Sequence, residues 1–480
     1  MFAARKKVNS HPEFLWRFCR PARRALVLAM ACSLMPGAWC LSGKVLGQED
    51  LSEADEQIIQ YHATNGLEDP VALLQRRLAE GKASLQFETN RGYLSSLLKE
   101  LRVPISSQGL VFSKTSSQGE HCSPKTPRAI YFADDVYVGW VPGGPVIDLA
   151  AVDPKRGPIF YTIDQRPDGG RNFNRPASCM QCHLGPKTLY VPGLVVRSVY
   201  TAADGRPISQ VDAFINGHNS ALEQRWGGWY VTGTHGGALH LGNSFVAKAA
   251  HRQDLLGGQP AFAMAAGANV TDLRDRFDTA RYLSRHSDIV ALLVLEHEVR
   301  MQNLMTRASY ETRLALDDKA KQKGSAAPVS DGANQSTDSA SNWPQERIAL
   351  AGEIMLEYML FRNEAPLKGS VKGTSSFADN FQRCGPMDSK ERSLRQFDLT
   401  TRLFRYPCSF LVYSRGFDAL PLEMKTYLWQ RLEQILGGED HSSTYVTMNA
   451  EDRQAVLEIL RETKPEFAAW LSSGHRHEIK

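Results

Sequence analysis

The sequence lacks a strong excess of charge of either sign. Its 56 Lys and Arg residues against 52 Asp and Glu residues give a formal net charge of +4 over 480 residues. Residues 1–47 hold eight basic residues and one acidic residue, so the rest of the chain, with 48 basic and 51 acidic residues, is mildly acidic. Charge-driven binding to an anionic polymer is therefore not favoured, and we expect no nucleic-acid partner.

The chain also lacks a long apolar run after its N-terminal segment. In that remainder no apolar stretch reaches the roughly 18 residues of a membrane-spanning helix. Residues 25–43 carry no charge and follow a basic stretch, a pattern typical of an export signal. Small residues end this segment, so we expect a signal peptide over 1–47, cleaved after Gly47, and a periplasmic location. An uncleaved membrane anchor is the alternative, and it is the only membrane association expected.

Apolar periodicity predicts an α+β fold that is mainly helical, with a small antiparallel β meander, a loop-rich middle and a helical C-terminal region. Residues 48–104 read as an N-terminal helical segment, and 105–322 as the meander plus a cofactor-binding domain. Residues 323–342 are small and polar, as in a flexible linker, and 343–480 form the helical C-terminal domain. The meander strands are expected at 109–114, 129–132, 135–140, 146–152 and 158–163.

One helix is predicted to be much longer than the others, over 287–322 and opening at Ser287. His297 falls on its apolar face, so this side chain is expected to point inward. Residues 164–282, by contrast, are rich in Gly, Pro and aromatic residues. A loop-rich segment of that length is usually organised around something, such as a cofactor.

The motif Cys-Met-Gln-Cys-His at residues 179–183 carries the chemistry. Cys179 and Cys182 lie three residues apart, so on one helical turn both sulfurs can reach the two vinyl groups of one haem. His183 follows on the same turn and can bind the iron. This is the attachment pattern of a c-type haem, so we expect one covalent haem c.

Other uses of the cysteine pair are less well supported. A thioredoxin-like dithiol requires a βαβ unit around the motif, and none is visible. A zinc site requires a second pair of ligands nearby, whereas Cys384 and Cys408 are single and distant. A disulfide between residues three apart would be strained.

The motif, together with the export signal, resembles the bacterial c-type cytochromes. The stretches DDVYVGW and RWGGWYVTGTHGG and the helix that carries His297 look like those of large, exported, single-haem cytochrome-like proteins. The resemblance implies that a backbone carbonyl orients His183, often one from a proline just downstream, and Pro186 is in place for that. The chain departs from small cytochromes in its length and in having no clear downstream methionine loop.

The sixth iron ligand must therefore come from elsewhere, and we expect a histidine. His235 ranks first, then His297, then His240, and a methionine such as Met301 or Met264 ranks last. His235 and His240 lie in a glycine-rich aromatic stretch that lets the backbone approach a planar cofactor. A second imidazole implies a lower reduction potential than methionine would give. Candidate partners of the haem propionates are Arg175, Arg197 and Arg225.

Three further cysteines follow the signal segment: Cys122, Cys384 and Cys408. In an oxidising compartment Cys384 and Cys408 are expected to form a disulfide, with two independent buried thiols as the alternative. The odd count leaves one cysteine free unless it pairs between chains.

The expected function is electron transfer by an exported c-type haem protein that meets redox partners in the periplasm. The alternative is a haem-dependent oxidoreductase, peroxidase-like, with an open distal site and His235 acting as a base beside Arg225. A haem-containing sensor is a third possibility. The length of the chain speaks against a simple carrier. The single haem motif and the lack of a recognisable catalytic signature speak against the enzyme.

Overall fold

The computed structural model describes residues 51–167, 172–208, 213–246, 264–325 and 343–473, all within one unit of the chain. The predicted signal peptide and residues 326–342 of the predicted linker lie outside the described residues. Within the described ranges, no helix is long and apolar enough to cross a membrane.

A six-stranded antiparallel sheet forms the first layer of the fold. Its meander strands are β1 Gly109–Val111, β2 Arg128–Ala133, β3 Val136–Trp140, β4 Val146–Asp153 and β5 Gly157–Asp164. Shorter strands follow in the chain: β6 Arg197–Ser198, β7 Phe214–Ile215, β8 Trp229–Tyr230, β9 Gly233–Thr234 and β10 Lys372–Gly373. Strand β8 belongs to the six-stranded sheet, whereas β6 pairs with β7 and β9 pairs with β10. The sheet order is β5–β4–β3–β2–β1–β8, which confirms the predicted meander and adds β8 beside β1.

A three-residue turn joins β4 to β5. Asp153 accepts hydrogen bonds from the backbone N–H groups of Lys155 and Arg156, both at 3.0 Å. Gly157 then adopts a φ of +73°, a left-handed conformation that favours glycine. A Cβ there would lie 2.5 Å from the side chain of Thr306, so the turn packs closely against the long helix described below.

Three short helices precede the sheet: α1 Glu53–Ile59, α2 Pro70–Ala79 and α3 Leu94–Glu100. Ser52 caps α1 and Asp69 caps α2, as their sequence positions predict. Helix α1 ends at Ile59, because Gln60 turns into the left-handed conformation and its N–H donates to the Glu56 carbonyl.

The longest helix is buried on all sides along its first half. After α4 Met180–His183 and α5 Met264–Gly267, helix α6 runs over Ile289–Ser325. Asp288, one residue later than the predicted Ser287, accepts a hydrogen bond from the Val290 N–H at 2.8 Å and opens α6. The predicted inward face is buried, including His297, but so are polar residues on other faces, such as Glu296 and Glu298. The helix therefore has the sheet on one side and further helices on the others.

Those further helices form the C-terminal region: α7 Trp343–Met359, α8 Phe377–Gln382, α9 Arg415–Asp418, α10 Leu422–Gly437, α11 Ala450–Thr463 and α12 Pro465–Ser472. Helix α7 packs along α6, where Arg347 pairs with Glu311 and Asp318. Gly438, with a φ of +81°, ends α10, and the Asn449 side chain caps α11. The predicted α+β class is confirmed.

Asp69 provides a test of how the N-terminal helices are held to the sheet. Its buried carboxylate accepts from the N–H groups of Val71 and Ala72 at 3.0 Å and from the Tyr161 hydroxyl at 2.8 Å. We expect Asp69→Ala to lower the free energy of unfolding by about 2–3 kcal/mol, because it removes a helix cap and leaves a buried hydroxyl without its acceptor. Asp69→Asn keeps an acceptor and should cost clearly less. Equal effects of the two substitutions in urea unfolding would contradict this account.

Candidate functional site

The residues of the Cys-Met-Gln-Cys-His motif lie together on one turn. A 3-10 turn over Ala177–Cys179 runs directly into α4, which ends at His183. Met180 is buried and anchors this turn on the core, while Cys179 is partly exposed and Cys182 is exposed. Both cysteines are free thiols, so the turn presents two unpaired sulfurs and one imidazole from adjacent backbone positions.

A backbone carbonyl fixes the ring of His183. Its Nδ1 lies 2.8 Å from the carbonyl oxygen of Gly193, and the Gly193 N–H donates to the His183 carbonyl at 2.9 Å. Because a carbonyl only accepts, Nδ1 must carry the proton in the neutral ring. Nε2 then keeps its lone pair, and no described residue forms a hydrogen bond with it. The acceptor is not Pro186, whose carbonyl instead closes the following 3-10 turn with Leu189.

Packing and burial keep the His183 ring neutral. The ring of Phe160 on β5 lies over it, with ring centroids 4.2 Å apart. Burial lowers the pKa of His183 to about 4, and the nearby cations Arg128 and Arg197 lower it further, against the opposing effect of the Gly193 carbonyl. The imidazole is therefore unprotonated on Nε2 at neutral pH, which is the form that binds iron.

A charged cluster flanks the motif on the adjacent sheet. Arg128 on β2 pairs with Asp148 on β4 at 2.9 Å, and Gln118 donates to the same carboxylate at 2.7 Å. The Nε of Arg128 is buried without a partner. A Cβ at Gly139 would overlap the Arg128 guanidinium, so this glycine makes room for the side chain. The sequence analysis did not predict this cluster. A possible signal was Arg128 in one predicted strand together with Gly139 in the next.

The three arginines proposed for propionates differ in availability. Arg197 donates to the Thr115 carbonyl at 2.9 Å and lies close enough to His183 to affect its pKa. Arg175 donates to the carbonyls of Tyr61 and Ala63. Arg225 is buried in an ion pair with Glu296 at 2.9 Å and also donates to two backbone carbonyls. Of the three, Arg197 is the one whose charge acts on the His183 imidazole.

His297, one of the predicted ligands, is fully engaged elsewhere. Its Nδ1 lies 2.9 Å from Nδ1 of His218, and its Nε2 lies 2.8 Å from the Ser409 hydroxyl. The rings of Tyr358 and Phe361 stack on this pair. Burial lowers the pKa of His297 to about 3. Neither ring nitrogen is free in this arrangement.

His235 and His240 form a second buried pair, with ring centroids 4.8 Å apart. Nε2 of His235 accepts from the Asn269 N–H at 3.1 Å, whereas Nδ1 of each histidine is buried without a partner. Among the described residues, no ring contact joins either histidine pair to His183. The structure thus brings Cys179, Cys182 and His183 together and gathers the predicted sixth ligands into two other clusters.

The predicted Cys384–Cys408 disulfide is wrong, because both thiols are free. Cys408 is buried in the aromatic core of the C-terminal region, while Cys384 lies exposed after α8, with its thiol donating to the Asn380 carbonyl at 3.3 Å. Cys122 is also free, and its thiol donates to the Val111 carbonyl at 3.3 Å.

Comparisons of the chain with protein-family models, with curated proteins and with solved structures find no match. In the part of the chain that the structure describes, no group of three or more His, Cys, Asp or Glu side chains is arranged to hold a metal ion. The geometry of the motif itself is therefore what supports a function for this chain.

The engagement of both His297 nitrogens leads to a prediction. His297→Leu should lower the free energy of unfolding by about 2–4 kcal/mol, because His218 and Ser409 lose their partners in the core. His121→Leu, at an exposed position, should change it by less than about 0.5 kcal/mol. Urea unfolding measures both. Wild-type stability of His297→Leu, together with high-spin iron in the haem-loaded variant, would instead identify His297 as an iron ligand.

Proposed function

We propose that the chain is an exported c-type haem protein that transfers electrons between periplasmic redox partners. The observation that carries the proposal is the hydrogen bond between His183 Nδ1 and the Gly193 carbonyl, 2.8 Å long. This bond leaves the Nε2 lone pair available beside two free thiols on the same turn. Ligating histidines usually donate their other ring N–H to such an acceptor.

The residues present fit a covalent haem. Cys179 and Cys182 would form the two thioether bonds, and His183 would bind the iron through Nε2. Bound haem supplies an iron atom that gains and loses single electrons. Phe160 holds the imidazole plane, Gly193 keeps the proton on Nδ1, and the cations of Arg128 and Arg197 are suited to the propionates.

A histidine remains the proposed sixth ligand. His235 and His240 fit better than His297, since each keeps a buried Nδ1 without a partner while both nitrogens of His297 are bonded. Binding through either residue requires the loop that carries them to meet the haem bound at His183. Periplasmic location follows from the N-terminal segment and belongs to the same proposal.

The contacts of Arg225 weigh against the peroxidase-like alternative. That reading requires its guanidinium beside His235, where it would help cleave a bound substrate. The guanidinium instead pairs with Glu296 and donates to the carbonyls of His218 and Ser220. Moving the guanidinium out of this buried pair would leave the Glu296 carboxylate without its counter-charge and would lower the stability of the fold by about 3–5 kcal/mol.

Covalent attachment is tested by haem staining after denaturing electrophoresis. The chain should stain when it is produced with a cytochrome c maturation system. Cys179→Ala combined with Cys182→Ala should abolish the stain, because no thioether can form. Cys384→Ala removes an exposed thiol outside the motif and should stain like the wild type. Full staining of the double variant would refute the proposed attachment.

The spectrum of the haem-loaded protein tests electron transfer against catalysis. We expect low-spin iron that does not bind carbon monoxide, because two histidines would occupy both axial positions. The oxidised protein should lack the charge-transfer band of iron–methionine ligation, and its reduction potential should be comparatively low. High-spin iron that binds carbon monoxide would favour the oxidoreductase instead.

A further inference from the structure

We infer that Asn303 on α6 is a positioning residue for His183, acting through the backbone of Gly193 and Leu194. This inference rests on the proposed function, since it concerns the histidine that would bind the iron. Asn303 lies 120 residues after His183 and outside the motif. It touches neither the imidazole nor the cysteines.

The side-chain amide of Asn303 forms hydrogen bonds with both backbone groups of Leu194, as the backbone of a neighbouring β-strand would. Its Oδ1 accepts from the Leu194 N–H at 2.8 Å, and its Nδ2 donates to the Leu194 carbonyl at 2.8 Å. The side chain is 1% exposed, so water does not compete for either bond. The first bond holds the N–H of the Gly193–Leu194 peptide and the second holds the carbonyl of the next peptide, so together they fix the backbone on both sides of Leu194.

That peptide carries the carbonyl on which the tautomer of His183 depends. Gly193 meets Asn303 so closely that a Cβ would lie 2.6 Å from its Oδ1 and 2.8 Å from Cβ of Thr188. Real Cβ atoms do not approach other atoms that closely, so residue 193 must be glycine here. Asn303, Leu194, Gly193 and His183 thus form a continuous chain of contacts from the long helix to Nδ1.

The loop between His183 and Gly193 needs such an external restraint. Leu189 and Tyr190 both adopt left-handed backbone conformations, with φ of +63° and +60°. Each costs roughly 1–2 kcal/mol for a residue with a side chain, so the loop does not hold its shape through local preference. Tertiary contacts must hold it, and the Asn303 clamp is a buried contact at the end where the carbonyl is presented.

The consequence concerns the donor strength of His183. A strong hydrogen bond from Nδ1 makes an imidazole a better donor at Nε2 and favours oxidised iron, which lowers the reduction potential. Without the clamp the Gly193 carbonyl can turn away, and the ring can place its proton on Nε2 instead. Asn303 therefore sets both the availability and the strength of the proximal ligand.

The test compares Asn303→Leu with Gln302→Leu in the full-length chain. Gln302 is the preceding residue of α6, is equally buried, and donates to the Asp134 carbonyl at 2.7 Å, away from the motif. Both variants lose a buried amide, so a merely structural role predicts similar effects. Nitrogen NMR of His183 in the haem-free chain should show a two- to ten-fold rise in the Nε2–H tautomer only in Asn303→Leu. In the haem-loaded chain only this variant should show a raised midpoint potential with haem staining retained.

The outcomes separate this inference from the proposed function. An unchanged tautomer ratio and potential in Asn303→Leu overturn the positioning role. A tautomer shift in a chain that takes up no covalent haem supports the positioning role and rejects the haem proposal. Should Asn303→Leu fail to fold, Gly193→Ala places a methyl group against Asn303 Oδ1 and Thr188, displaces the same peptide, and must give the same tautomer shift, or the inference fails.

Discussion

The burial of the first half of α6 is the constraint on which the rest of the structure depends. A helix in contact with protein on every side cannot leave its polar side chains in water, so each of them must find a partner inside the fold. Glu296 pairs with Arg225, Glu298 accepts from the Tyr137 hydroxyl at 2.8 Å, and Gln302 donates to the turn before β3. The helix thereby links the sheet, the loop-rich region and the C-terminal helices through polar contacts as well as apolar packing.

This burial also shifts the pKa values of the acids and the imidazole along the first half of α6. Burial raises the pKa of Glu296 to about 7 and that of Glu298 well above its usual value, while it lowers the pKa of His297. Each group is held by a neighbour that suits its neutral or paired form. Perturbed pKa values of this kind also occur in structural networks, so they do not by themselves identify catalysis.

The sequence was sufficient to predict the elements whose signal is local. Helix caps at Ser52, Asp69 and Asn449 and the strands of the meander follow from residue type and periodicity. The two-residue strand β8 was missed because it is too short for a periodic pattern and forms only by pairing with β1. The inward direction of His297 was predicted correctly, but its partners His218 and Ser409 come from distant segments that no pattern connects.

In the site, too, contacts within the motif were predictable from the sequence, whereas contacts with distant segments were not. The spacing of Cys179, Cys182 and His183 places them on one turn without reference to the rest of the chain. The acceptor for His183 was assigned to Pro186, the nearest proline, whereas the loop continues to Gly193 because its far end is fixed by α6. Arg128 on β2 and Asp148 on β4 meet only because the fold places their strands on either side of β3, where Gly139 leaves room for the guanidinium.

The separation of Asn303 from Leu194 along the chain, 109 residues, has a consequence for the order of folding. The bond from His183 to Gly193 closes a loop of ten residues, which forms quickly and at small entropic cost. Closing the clamp across 109 residues costs more chain entropy than closing the loop of ten, so we expect the turn of the motif to form before α6 restrains its histidine.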